Sequence, residues 1–132
     1  MTHISYLATP YSHPDREIES YRYRVVTWTA HWLIAGGRWV YSPITHNVPF
    51  SEWGIGGAFA HWGPFDCSML SRCDALIVLT LPGWEESIGV SAEIAHAKEL
   101  DLPIEHLEPP YDELEKASII CEQDAAPCSK RT

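Results

Sequence analysis

Short apolar runs alternate along this chain with longer stretches in which apolar residues recur at helical spacing. Residues 3–8 are the first such run and read as a strand, which ends in the two-proline segment 9–14. Asp15 is placed to cap a helix running to about residue 35, with Glu17 and Glu19 in its first turn and Gly36-Gly37 at its end. Residues 39–41 read as a second strand. The segment 42–57, rich in Pro, Gly, His and aromatic residues, reads as a long loop of the kind that carries function. A helix is expected from about 58 to 71, broken or delayed at Gly63-Pro64. Residues 75–79 are a third strand, 87–100 the next helix and 103–107 a last strand. Beyond 108 the chain becomes Pro-rich, then acidic and polar. A short helix over 111–120 and a disordered end from Glu122 are expected there.

Strands alternating with helices predict an α/β fold: three layers, a mainly parallel sheet of four to five strands, and helices on both faces, Rossmann-like or flavodoxin-like. Residues 1–107 would form that domain and 108–132 a C-terminal extension. Ligands in such sheets sit beyond the carboxyl ends of the strands, where the loops 9–14, 42–57 and 80–86 would meet.

Composition narrows the ligand. The chain has 132 residues, one domain's length, with nine basic against eighteen acidic residues and a net charge of −9. With no Lys/Arg run, neither a nucleic-acid polymer nor an anionic membrane surface is an expected partner. A small anion needs only a helix N-terminus and an arginine or two. The domain is small for a self-sufficient α/β enzyme, so a homodimer or higher homo-oligomer is expected. Cys67, Cys73, Cys121 and Cys128 form no CxxC pair, and no apolar leader or membrane-spanning window is present. These features predict a reduced, cytoplasmic protein with no zinc and no cofactor.

The helix expected after residue 87 carries one acid out of place. With Val90 as the zero direction, Ile94 falls at roughly 40°, Ala97 at roughly 340° and Glu93 at roughly 300° on a helical wheel, whereas Glu99 lies at roughly 180°. Glu93 therefore points into the apolar stripe, and an inward carboxylate at the ligand end of a sheet suits a nucleophile, a general base or a metal ligand. Glu93 and His96 have the ExxH spacing of carboxylate-bridged metal sites, but a second such motif is missing, so no metal is expected. Gly89, one turn before Glu93, leaves room for a ligand ring above the carboxyl. Ser87 suits both an N-cap and an anion contact. His46, in the long segment, is a candidate ligand contact. Trp53, Trp62 and Trp84 would stack on either the ligand or a partner subunit. A carboxylate beneath a sugar-like group with an anion nearby suits displacement at an anomeric carbon.

Three pieces of the chain together resemble the nucleoside 2-deoxyribosyltransferase-like superfamily, which includes nucleoside and nucleotide N-glycosidases. They are Tyr6-Leu7-Ala8, Asp66 with Asp74 eight residues later, and the run from Ser87 through Glu93 to Ala97. The resemblance spans roughly residues 3 to 107 and is greatest to a small bacterial and phage subgroup. It implies that Glu93 is the nucleophile at C1′, that Tyr6 holds its carboxylate and that Asp66 protonates the departing base; Asp74 is expected to cap or anchor the strand and is left outside the site. Ser at position 87 tilts the implied substrate from a nucleoside towards a nucleoside 5′-monophosphate. The first loop departs from the family pattern. Thr9, Pro10 and Tyr11 stand where a Gly is usual, and Arg16, Arg22 or Arg24 would have to supply the phosphate's countercharge. Trp84 completes the expected contacts. A nucleotide-binding protein of the same fold without turnover is the alternative.

Overall fold

The computed structural model describes residues 3–55 and 59–121. Four strands, β1 (Ser5–Ala8), β2 (Val40–Tyr41), β3 (Ala75–Leu79) and β4 (Ile104–Leu107), form one parallel sheet in the order β2-β1-β3-β4. Helices α1 (Arg16–Ala35), α2 (Pro43–Asn47), α3 (Phe59–Leu70), α4 (Ile88–Glu99) and α5 (Tyr111–Lys116) connect or follow them. The α/β, three-layer expectation holds, with four strands.

Side-chain alternation sorts the core into two halves. Leu7, Ile77 and Leu79 face Val25, Val26 and Leu33 of α1 and Leu114 of α5. Tyr6, Ala8, Leu76 and Val78 face Leu70 of α3 and Val90 and Ala97 of α4. Leu114 and Ile120 are buried in the first half, so the chain after β4 adds to the core. The end from Glu122, expected to be disordered, lies outside the described residues.

Helix ends follow local chemistry. The Asp15 side chain accepts from the Glu17 N–H at 2.9 Å, and Gly37, at φ 93°, lets the chain leave α1 in a left-handed conformation that suits glycine. Ser87 Oγ accepts from the Val90 N–H at 3.2 Å and starts α4. Asp74 accepts from the Ile4 N–H at 2.8 Å, tethering the start of β1 as its anchoring role required.

Two expectations are corrected. Much of 42–57 is helical: Ser42 Oγ accepts from the Thr45 N–H at 3.1 Å, Pro43 occupies the first helical position, and a 3-10 segment, Val48–Trp53, follows α2. A proline at that position loses no helical hydrogen bond, so it starts a helix there instead of marking a loop. Second, α3 continues through Gly63-Pro64. Pro64 forgoes one backbone bond, while Leu70 of the same helix is fully buried against the sheet. Among the described residues, no helix is long and apolar enough to cross a membrane.

Candidate functional site

The chain runs from β1 to β2 on one side, then returns to place β3 on the other side of β1. A parallel sheet opens a crevice where its order reverses, at the strands' carboxyl ends. A cleft of about 610 Å³ lies there, lined by the loop after β1, by α2 and α3, and by the start of α4.

One wall is built around Glu93. It is 6% exposed, and its Oε2 accepts a hydrogen bond from the Tyr6 hydroxyl, 87 residues away in sequence. Burial pushes the Glu93 carboxyl up to about 8; the Tyr6 bond works against that rise, and the Asp66 charge adds to it. Burial, with the Glu93 and Asp66 charges, holds the Tyr6 phenol far above its ordinary range, so Tyr6 remains the donor. Ser87 and Gly89 line the cleft one turn or more before Glu93 on the same helix.

Asp66, on α3, also lines the cleft and is 8% exposed. Its Oδ1 accepts from Asn47 Nδ2 at 2.9 Å. Burial raises its affinity for a proton, while the Asn47 bond and His46 lower it. Sequence reasoning missed Asn47. An asparagine among prolines and aromatics is an unremarkable loop residue until its burial is known.

The first loop supplies Thr9 and Tyr11, and α1 supplies Arg16. Thr9 is 5% exposed, and its Oγ1 has no hydrogen-bond partner among the described residues, leaving a buried hydroxyl at the cleft for a ligand to satisfy. The structure separates the three arginines. Arg16 lines the cleft. Arg24 donates to Ser20 Oγ at 3.1 Å on the exposed face of α1. Arg22 is 7% exposed and donates to the carbonyls of Tyr11, Ser12 and Pro82 at 3.3, 3.1 and 3.0 Å, clamping the loop after β1 to the loop after β3. Gly83 makes room for that clamp: its φ is 95°, and a Cβ there would lie 2.6 Å from Arg22 Nη2.

Other expected contacts fall elsewhere. Pro10 is buried but is not among the cleft's lining residues. Trp84 packs against His106 of β4, ring centroids 5.2 Å apart, at the edge of the α4-side core. Its place in the loop made it look available, but it is half-buried and is not among the cleft's lining residues. His46 is exposed and is not among the lining residues; its Nδ1 lies 2.7 Å from Asn47 Oδ1 and its ring stacks on Phe65. Trp62 lines the cleft, whereas Trp53 is 77% exposed.

His96, three residues after Glu93, has its Nε2 2.9 Å from Ser71 Oγ of the segment after α3. Among the described residues, no three His, Cys, Asp or Glu side chains are arranged to hold a metal ion. Two buried carboxyl groups, Glu93 and Asp66, line one cleft, where one can meet an electrophilic carbon and the other a leaving group.

A family described as a domain of unknown function, DUF1937, matches residues 3–108, and the chain belongs to it. No curated protein matches the chain.

Proposed function

We propose that this protein cleaves or transfers the N-glycosidic bond of a nucleoside 5′-monophosphate through a glycosyl ester on Glu93. The observation that carries this reading is the Tyr6–Glu93 pair, a buried carboxyl held by a phenol at the wall of a ligand-sized cleft. The resemblance of residues 6–8, 66 with 74, and 87–97 to the nucleoside 2-deoxyribosyltransferase-like superfamily supports the same chemistry.

In the first step a Glu93 oxygen bonds to C1′ as the C1′–N bond breaks. The electron pair leaves with the base, whose nitrogen takes the Asp66 proton. In the second step Asp66 accepts a proton from water, the oxygen attacks C1′, and the ester bond returns its electrons to Glu93. A second base in place of water gives transfer. The productive state has Glu93 ionised and Asp66 protonated, and the two titrate as a pair. Burial holds the Glu93 carboxyl the higher of the two, so the acid limb of the pH–rate profile follows the Asp66 titration and the alkaline limb that of Glu93.

Arg16 is the only basic residue among the described lining residues, against Glu19, Asp66, Glu86 and Glu93. A phosphate must therefore be met by Arg16, the unpaired Thr9 hydroxyl and the N-terminus of α4 at Ser87. The test is incubation with ribo- and deoxyribonucleosides and their 5′-monophosphates, scored for free base. Release from monophosphates is expected. Arg16→Ala should raise KM for a monophosphate roughly tenfold and leave a neutral nucleoside's KM unchanged. No release from any member removes the reading for these substrates.

A nucleotide-binding protein without turnover is favoured by one observation: with its carboxyl pushed up to about 8, Glu93 holds a proton at neutral pH. Glu93→Gln separates the two readings, abolishing base release in an enzyme and changing little in a binder. Homo-oligomerisation belongs to the proposal as well. Ile88 lines the cleft yet is 75% exposed, and Trp53 is similarly bare. Light scattering should give a mass of at least two chains; a monomer mass would remove that part.

A further inference from the structure

We infer that Asn47 is a positioning residue for Asp66, binding one carboxyl oxygen so that the other meets the ligand, and that His46 sets the direction of the Asn47 amide. Its catalytic meaning rests on the proposed role of Asp66 as acid, but the geometry stands apart from it. Asn47 closes α2 and is 5% exposed, although His46 beside it is exposed. Two consecutive residues of α2 meet two consecutive residues of α3. The His46 ring stacks on Phe65 with centroids 5.6 Å apart and planes 17° apart, and Asn47 Nδ2 donates to Asp66 Oδ1 at 2.9 Å. Phe50 and Tyr41 also lie against the His46 ring, at 5.3 and 6.0 Å.

The hydrogen-bond directions follow from atom types. With Asn47 Nδ2 on the Asp66 carboxylate, Asn47 Oδ1 faces His46 Nδ1 at 2.7 Å and can only accept, so Nδ1 carries the hydrogen. Reversing the amide would set oxygen against carboxylate at Asp66, which fixes the amide direction and with it the His46 tautomer. Among the described bonds none reaches Asp66 Oδ2, and Asp66 lines the cleft, which leaves that oxygen for the ligand.

The arrangement suits an acid that must give up its proton. As the Asp66 O–H breaks and the ligand N–H forms, the electron pair stays on the carboxylate, and the Asn47 donor is already in place to meet that charge. Leucine at 47 would leave a buried oxygen unpaired, and aspartate would set a second carboxylate against it. The other titratable groups coupled to Asp66 are Glu93 of α4, Tyr6 of β1, Tyr41 of β2 and Cys67 of α3. Each either carries or would gain negative charge, so Asn47 and His46 are the groups that favour the Asp66 anion.

The test follows the Asp66 side-chain carboxyl by ¹³C NMR through a pH titration of the full-length protein, without ligand. In Asn47→Leu the midpoint should rise by about one pH unit, tenfold in the protonation equilibrium. His46→Phe, which keeps the stack on Phe65 but removes the Nδ1 donor, should give a smaller rise. His46→Asn, whose amide nitrogen takes the place of Nδ1, should restore the wild-type midpoint. Where base release occurs, Asn47→Leu should lower kcat with little change in KM and move the acid limb of the pH profile upwards with the midpoint. An unmoved midpoint in folded Asn47→Leu overturns the inference; should that variant not fold, an unmoved midpoint in His46→Phe does so. A moved midpoint in a protein that releases no base retires Asp66 as the acid and leaves Asn47 as its partner.

Discussion

Tyr6 and Leu7 are neighbours on β1, both wholly buried, yet they serve different halves of the molecule. Leu7 packs with Val25, Val26 and Leu79 into the half beneath α1 and α5, where burial of apolar surface is the main source of stability. Tyr6 turns to the other face, where its hydroxyl meets the carboxyl of Glu93. That second half encloses an acid whose charged form burial disfavours. The difference shows a division of labour across one sheet. One face stabilises the fold, and the other gives up part of that stability to keep a carboxyl buried.

Glu93→Gln should have the largest effect, with opposite signs in activity and stability. Base release should fall at least roughly a thousandfold. The folded-state carboxyl sits at about 8 against an ordinary 4.5, so between those values the folded chain holds a proton that the unfolded chain has lost. Wild-type stability thus falls as pH rises through this window, by an upper bound of roughly 5 kcal/mol. Thermal melts should find the Gln variant more stable at pH 9 and close to wild type at pH 4. Equal melting temperatures at both would deny that Glu93 burial costs anything.

Leu7→Ala comes next and tests the opposite face. It should lose about 2–5 kcal/mol in urea unfolding through the cavity left behind, while the protein that remains folded keeps its pH–rate profile. A changed profile would mean that the two faces are not separable. Tyr6→Phe should have the smallest effect on stability, about 1 kcal/mol. Its signature is in the pH dependence: without the bond that lowers it, the Glu93 carboxyl rises further, and the alkaline limb of the pH–rate profile, which follows the higher of the two titrations, moves to higher pH. An unmoved limb would show that the Tyr6 hydroxyl does not act on Glu93.

Much of the first half was legible because it is written locally. The Asp15 cap, the Gly36-Gly37 end of α1 and the bounds of β3 depend on residues close together in sequence. The inward turn of Glu93 is equally local, since helical period alone sets it. The Ser42-Pro43 start of α2 was local too, but the surrounding Pro, Gly and aromatic residues made the segment resemble a loop. Choosing among Arg16, Arg22 and Arg24 was a different problem. All three lie on α1, and only the path of the two loops after β1 and β3 shows which guanidinium is used up as a clamp.

By itself, then, the sequence determined the order of strands and helices, the caps, and the presence of an acid on the buried side of α4, because backbone propensity and side-chain period act over a few residues. Tertiary structure decided what that acid meets. Tyr6 reaches Glu93 across 87 residues, Asn47 reaches Asp66 across 19, and Trp84 meets His106. Such meetings depend on which strand lies beside which and how two helices register, and no local pattern encodes them.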